Sequence, residues 1–217
     1  MKEKTGEVFS IAADNPTIIG CTVSKEIYSG FDNYITHFSL AEKTDISAEM
    51  YSYHKLIIMQ KGDMIVSANG KKIPIKKDEC MITPTDIPVG MTAGSEAIYT
   101  EIGLRRNSKM NNALKAGEVF KLGELVPYQD GKIVNMDIAS NEKMKFVVMS
   151  FDEGTGLAEH AAPGEALIFA LDGEGVIGYE GKEHTIKAGE NFKFAAGGKH
   201  YVKANGKFKM ALLLTLE

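Results

Sequence analysis

Hydrophobic positions along the chain recur mainly with a period of two, in short runs that are separated by glycine-containing breaks. Two apolar runs are interrupted at Gly62-Asp63 and Gly173-Glu174, and further breaks follow at Asn69-Gly70 and Glu180-Gly181. Because successive side chains of a strand point to opposite faces, this pattern predicts short strands joined by tight turns. Long helical patterns are missing. The sequence therefore predicts an all-β fold of antiparallel sandwiches or barrels, the jelly roll among them.

The chain contains an internal repeat with one fixed offset. The tetrapeptide Gly6-Glu7-Val8-Phe9 recurs as Gly117-Glu118-Val119-Phe120, so residue 6 aligns with residue 117 at an offset of 111. The same offset holds without a gap as far as Glu79 and Glu190, which argues against chance and predicts two similar domains. We place their boundary near residue 111, giving domains 1–110 and 111–217. The polar stretch around it reads as a linker or a short connecting helix.

Composition and charge narrow the classes of partner. The 217 residues are 44% hydrophobic, enough for one large core or two small ones, and the net charge is −4. Charged residues are spread along the chain, which disfavours a nucleic-acid or membrane-surface partner. No apolar stretch has the length of a membrane span or a signal peptide, so we expect a cytoplasmic protein. Cys21 and Cys80 lack metal or redox spacing and are expected to be reduced thiols.

The second repeat resembles the cupin superfamily at that family's first motif, which places a glycine, two histidines, a glutamate and a second glycine at fixed spacings. The spacing is kept at Gly154, His160 and Gly173, with Ala162 in place of the second histidine. The run from His160 to Leu167 also looks like the HxxPGDAL signature of a group of small bacterial cupins. This resemblance covers residues 117–217 and extends to the first half through the repeat.

The family's second motif is also matched in its spacing, although some of its residues are replaced. Gly189, Gly197 and His200 stand at the expected positions, whereas Ala195 and Ala204 replace the family's proline and asparagine. The resemblance implies two tandem cupin barrels of the jelly-roll, or double-stranded β-helix, type. A shared fold does not imply one shared activity.

The resemblance also implies a pocket and a metal. In metal-binding cupins the motif histidines and glutamate hold one divalent ion, usually iron, manganese, nickel or zinc, and no organic cofactor is implied. His160 and His200 match these positions and are the candidate catalytic residues and metal ligands, with Glu165 as the candidate third ligand. Counting back from Gly173, however, puts Ala166 at the glutamate's place, and a shift of one residue turns a strand side chain to the opposite face. The alternatives are a metal-free histidine pair at the barrel mouth and a solvated Glu165.

The first repeat lacks the motif histidines. At the offset of 111, Glu49 aligns with His160, Tyr51 with Ala162 and Val89 with His200. We therefore expect residues 1–110 to form a degenerate barrel with a structural or dimerising role. A dry apolar pocket is the alternative.

Two classes of function remain open at this stage. One is a small-molecule enzyme of the isomerase, decarboxylase, dioxygenase or lyase type, in which a metal or a pocket histidine assists proton transfer. The other is a non-catalytic protein, either a binder of a small metabolite or a structural bicupin. Because edge strands need cover, a homodimer is expected in each case.

Overall fold

The computed structural model describes residues 1–216 and consists almost entirely of β-strands, as predicted. The first half contains, in order, β1 Val8–Phe9, the helix α1 Ile11–Asp14, β2 Thr22–Ser29, β3 Asn33–Leu40, β4 Asp45–Met50, β5 His54–Lys61, β6 Asp63–Ala68, β7 Lys71–Lys76, β8 Cys80–Ile82, β9 Pro88–Ala93 and β10 Ala97–Leu104. After β11 Lys109–Met110, the second half contains β12 Val119–Phe120, a 3₁₀-helix Leu122–Glu124, β13 Ile133–Asn141, β14 Met144–Phe151, β15 Gly156–Ala161, β16 Glu165–Tyr179, β17 Lys182–Lys187, β18 Asn191–Phe194 and β19 Lys199–Thr215. Within residues 1–216, neither helix has the length and apolar character needed to cross a bilayer.

The strands of the first half recur in the second half at the offset found in the sequence. For example, β3 and β4 begin at residues 33 and 45, and β14 and β15 begin at residues 144 and 156. In the first half the strands form two sheets, with the orders β12-β8-β5-β10-β3-β2 and β4-β9-β6-β7. In the second half they join in one nine-stranded sheet, because β16 and β19 each run through both layers.

The glycine breaks have two different structural meanings. Asn69-Gly70 and Glu180-Gly181 are two-residue hairpin turns with positive φ at both positions, as predicted. The tight turn predicted at Gly173-Glu174 is wrong, because β16 continues through it with β-bulges between residues 170 and 175. At Gly62 the chain turns a one-residue corner from β5 into β6, and these strands belong to different sheets. The second break of each half is therefore a hairpin, and the first is a bend between layers.

Buried side chains form three clusters, one inside each half and one between the halves. Successive side chains of β16 point to opposite faces and therefore belong to different clusters. Ala166, Ile168 and Ala170 belong to the interior of the second half. Leu167 and Phe169 point the other way, into the cluster shared with residues of the first half. The interior of the first half is a separate cluster.

The two halves also exchange a short strand. Val8 of β1 pairs with Phe192 of β18, and Val119 of β12 pairs with Met81 of β8. The exchange is reciprocal. At the offset of 111, Val8 corresponds to Val119 and Met81 corresponds to Phe192, so the same pairing occurs in both directions. The repeated tetrapeptide therefore marks the strand that each half lends to the other. The connecting segment forms the short strand β11 on β13 rather than a helix.

Candidate functional site

A cavity of about 480 Å³ opens between the two sheets of the first half, and we call it the inner cavity. Its residues come from both layers and are Glu26, Ser29, Tyr34, Thr36, Phe38, Ile46, Glu49, Tyr51, Tyr53, Lys55, Thr83, Pro84, Val89, Met91, Glu101 and Arg105. Phe38 and Met91 belong to or pack on the apolar cluster of this half. The cavity differs from the apolar pocket considered from the sequence, because eight of its sixteen lining residues are carboxylates, phenols or cations.

Glu101 is the central charged residue of the inner cavity. It is only 3% exposed, and its carboxylate accepts a hydrogen bond of 2.6 Å from the Tyr34 hydroxyl. The ammonium group of Lys55 lies 3.3 Å from the same carboxylate oxygen. Burial, the charge of Glu101 and this hydrogen bond together raise the pKa of Tyr34 well above its usual range. Tyr34 therefore stays protonated and donates its hydroxyl hydrogen bond to Glu101.

Strand register explains how these three side chains meet. Tyr34 on β3 and Lys55 on β5 both pair with Gly103 on β10, two residues from Glu101 on the same face. A Cβ atom at Gly103 would lie 2.0 Å from the Tyr34 ring. The glycine thus allows the ring to lie across β10, where its hydroxyl reaches Glu101.

Aromatic rings form one wall of the inner cavity. The rings of Tyr51 and Tyr53 have centroids 5.2 Å apart, and Tyr34 meets Tyr53 edge to face at 6.3 Å. The Lys55 ammonium lies 3.7 Å from the centroid of Tyr51, and the Arg105 guanidinium lies 4.8 Å from that of Tyr34. Both distances are in the range of cation–π interactions. The wall is therefore amphipathic, with ring faces, hydroxyl groups and two cations.

The inner cavity lies where the motif positions of the first half converge. Residues 49, 51, 55 and 89 correspond to 160, 162, 166 and 200 at the repeat offset, and Glu49, Tyr51, Lys55 and Val89 all line it. Tyr51 donates to Glu49, and this hydrogen bond is the main reason why the pKa of Tyr51 is raised. Lys55 is not among the residues identified from the sequence. It could have been found there, because the shift from Glu165 to Ala166 at the glutamate position also applies to the first half, where Lys55 corresponds to Ala166.

The structure brings His160 and His200 together in the second half. They are register partners on β15 and β19, and their ring centroids are 4.2 Å apart. His160 is exposed, whereas His200 is 4% exposed and stacks on Phe194 at 4.0 Å. Each Nδ1 faces a backbone carbonyl oxygen, at 2.9 Å for His160 and 3.1 Å for His200. A neutral ring that donates through Nδ1 keeps the Nε2 lone pair available.

Burial lowers the pKa of His200, and the charge of His160 acts in the same direction. A backbone hydrogen bond with Gly198 opposes these effects without reversing them. His200 is therefore a neutral imidazole at neutral pH. Chemically, the pair can accept and donate protons at the edge of the second half.

Glu165 does not join the two histidines. Its carboxylate accepts from Lys193 at 2.7 Å and from the amino group of Met1. Ala166 faces the interior of the second half, so alternation turns Glu165 to the opposite face. Within residues 1–216, no group of three histidine, cysteine, aspartate or glutamate side chains is placed to hold a metal ion. The three-ligand set of His160, His200 and Glu165 is therefore corrected to a pair of histidines.

Comparisons with known proteins agree with this architecture. The family model described as "Cupin domain" matches residues 147–216. No curated protein sequence matches the chain. The Cupin 2 conserved barrel domain protein from Leptotrichia buccalis superposes with a TM-score of 0.87 and 27% identity, over 99% of this chain and 98% of that one.

More distant solved structures share the fold alone. Salicylate 1,2-dioxygenase from Pseudaminobacter salicylatoxidans superposes with a TM-score of 0.61 at 9% identity, over 85% of this chain and 71% of that one. At this identity the likeness extends to the fold and not to the activity. The comparisons therefore show a cupin domain at residues 147–216 and, for the chain as a whole, the fold of the Leptotrichia structure.

Proposed function

We propose that the chain is a two-barrel cupin, with barrels at 1–110 and 111–217, that binds a small polar organic molecule in the inner cavity. One observation leads to this proposal: the buried cluster of Glu101, Tyr34 and Lys55 is located in a cavity at the family's motif positions. Burial of an ion pair contributes little to stability in comparison with apolar packing. A charged cluster that lines a cavity is therefore better explained by recognition of a ligand.

The two-barrel organisation is supported by the recurrence of the strands at one offset. Each half also has its own interior cluster of buried side chains. The exchange of β1 and β12 joins the two barrels edge to edge without merging those interiors.

The lining of the inner cavity indicates the chemical class of the ligand. Its volume of about 480 Å³ is typical of small-molecule sites. The carboxylates of Glu49 and Glu101 accept hydrogen bonds, whereas Lys55 donates them. The tyrosine rings offer flat apolar faces for the body of a ligand. This combination fits a hydroxylated molecule of about the size of a sugar or an aromatic acid.

The repeat provides a matched pair of variants for the test. Val89→Phe places a large ring in the inner cavity, and His200→Phe places the same ring at the equivalent position of the second half. We expect Val89→Phe to weaken binding by about tenfold or more, which corresponds to about 1.4 kcal/mol, and His200→Phe to leave binding unchanged. Binding is measured by equilibrium dialysis against a defined panel of small polar metabolites with detection by mass spectrometry. A bound compound that survives Val89→Phe contradicts the proposal.

The second candidate function is acid–base catalysis of the isomerase, decarboxylase or lyase type at His160 and His200. It is favoured by the 4.2 Å separation of an exposed and a buried imidazole. Two imidazoles alone do not fit the family's divalent-metal site, which takes a third protein ligand, so no metal-dependent step is derived. Loss of binding in His200→Phe together with full binding in Val89→Phe would favour this second site.

A further inference from the structure

A second and more open cleft adjoins the inner cavity, and we call it the outer cleft. It measures about 530 Å³, and Tyr53 and Arg105 line both spaces. The remaining residues of the outer cleft are Phe31, Ser52, His54, Thr85, Leu104, Arg106, Asn107 and Ser108. The two spaces are therefore neighbours that have Tyr53 and Arg105 in common.

The outer cleft is cationic. Arg105 and Arg106 are the only two arginines of the chain, and the lining contains no aspartate or glutamate. Among the ion pairs of residues 1–216, none involves either guanidinium. The positive charge of both groups is therefore not compensated by a carboxylate of the described chain. Lys55 of the inner cavity differs, because it is paired with Glu101.

Both guanidinium groups lie near aromatic rings, and that of Arg105 also donates to the carbonyl oxygen of Gly30 at 3.4 Å. Arg105 lies over the ring of Tyr34 and 5.5 Å from the centroid of Tyr53. Arg106 lies 4.5 Å from the centroid of Phe31, a ring that is itself 71% exposed. A guanidinium that rests on a ring face keeps its N–H groups at its edge. That edge matches the two oxygens of a carboxylate or phosphate.

Resting on the proposed function, we infer that the outer cleft binds the oxyanion group of the ligand whose body occupies the inner cavity. Arg105 and Arg106 donate to that group, and Tyr34 and Phe31 hold the two guanidinium planes. The ligand is then a small hydroxylated organic acid or phosphate ester. Its carboxylate or phosphate is located outside the barrel, and its hydroxyl groups face Glu49 and Glu101.

The presence of only two arginines makes the test direct. Protein labelled with nitrogen-15 has two arginine Nε–Hε signals, which Arg105→Lys and Arg106→Lys assign. Inorganic phosphate and acetate are added separately at constant ionic strength, with chloride as the control. We expect both signals to shift and to saturate, and the more strongly bound anion distinguishes a phosphate ligand from a carboxylate ligand. Shifts no larger than those with chloride overturn the inference.

A second experiment separates this inference from the proposed function. The dialysis panel is repeated with the double variant Arg105→Gln, Arg106→Gln, after circular dichroism has shown that it is folded. We expect anionic ligands to bind about tenfold or more weakly, whereas neutral ligands bind as before. Unchanged binding of an anionic ligand that Val89→Phe excludes would refute the arginine anchor and leave the inner cavity as the ligand site.

Discussion

At the scale of single residues, Glu101 shows how the first half tolerates a buried charge. Its carboxylate has one neutral donor, Tyr34, and one cation, Lys55, and each comes from a neighbouring strand. A buried ionic group is stabilised only when both its charge and its hydrogen bonds are satisfied. The two partners provide this, and they leave the rest of the lining available to a ligand.

The substitution Glu101→Gln tests this account. The amide keeps an acceptor for Tyr34 but removes the charge opposite Lys55. We expect the free energy of unfolding, measured by urea denaturation, to fall by about 1–3 kcal/mol. Glu49→Gln is the control, because Glu49 lines the same cavity but is exposed, and its effect should stay within about 0.5 kcal/mol. Equal effects of the two substitutions would contradict a special role for Glu101.

The sequence predicted part of this residue-level picture. Motif spacing indicated that His160 and His200 meet, and strand alternation already raised the doubt about Glu165. Glu101 and Tyr34 could not be found in this way, because neither lies in a motif. Their contact depends on the pairing of β10 with β3, which no local pattern records.

At the scale of elements, a row of polar side chains crosses three adjacent strands of the first half. Gln60 on β5 donates to Thr100 on β10 at 2.9 Å, and Thr100 lies 2.9 Å from Nδ1 of His37 on β3. The equivalent positions of the second half are the apolar residues Leu171, Ala211 and Val148. The two halves therefore have equivalent strands, but the faces that these strands turn toward the other half differ in polarity.

Burial, assisted by the charge of Lys25, lowers the pKa of His37 to about 3. Glu3 lies 3.5 Å from Nε2 of His37, yet it already forms an ion pair of 2.7 Å with Lys25. Burial therefore dominates and His37 is neutral in the folded protein. Between pH 6.5 and about 3 the unfolded chain binds the proton that the folded chain excludes. Stability consequently falls as the pH falls through this range.

The double variant His37→Val, Thr100→Ala copies the second half and should remove this dependence. Urea denaturation at several pH values between 4 and 7 gives the slope of stability against pH. We expect the slope of the unmodified protein to exceed that of the variant by up to about 1.4 kcal/mol per pH unit. Asn112→Ala, which changes an exposed side chain that does not titrate in this range, should keep the original slope. Parallel curves for the double variant and the unmodified protein would refute a neutral buried His37.

Elements were more predictable than side-chain contacts. The period of two and the Asn69-Gly70 and Glu180-Gly181 turns gave strands and hairpins, because both are encoded locally. The continuity of β16 through Gly173 was not predicted. A glycine with positive φ serves equally in a turn and in a bulge, and the choice depends on β19 continuing beside it.

At the scale of the whole molecule, the two halves are joined by pairing and packing as well as by the chain. Strands β1 and β12 each complete a sheet of the other half, and one of the three buried clusters draws on both halves. The offset of 111 found in the sequence recurs in the positions of the strands. It did not predict the exchange, because a repeat does not specify which copy a strand joins.

Cutting the connection between the halves tests this joint assembly. A specific protease site inserted between Lys115 and Ala116, which are both exposed, allows cleavage without removing β11 or β12. We expect the two fragments to elute together in size-exclusion chromatography and to separate only in denaturant. The uncut insertion variant is the control. Fragments that elute apart under native conditions would show that the exchanged strands contribute little to holding the halves together.

The exchanged strands also constrain how the protein is made. Phe192, the pairing partner of Val8, is synthesised 184 residues after it, roughly 10–40 s at ordinary elongation rates. Throughout that interval β1 has no partner strand, whereas β8 of the first half is paired as soon as Val119 emerges. Strand β1 can therefore be placed only after almost all of the second half has been made. Until then a nascent chain carries β1 as an unpaired strand, which chaperones that act on emerging polypeptides would meet.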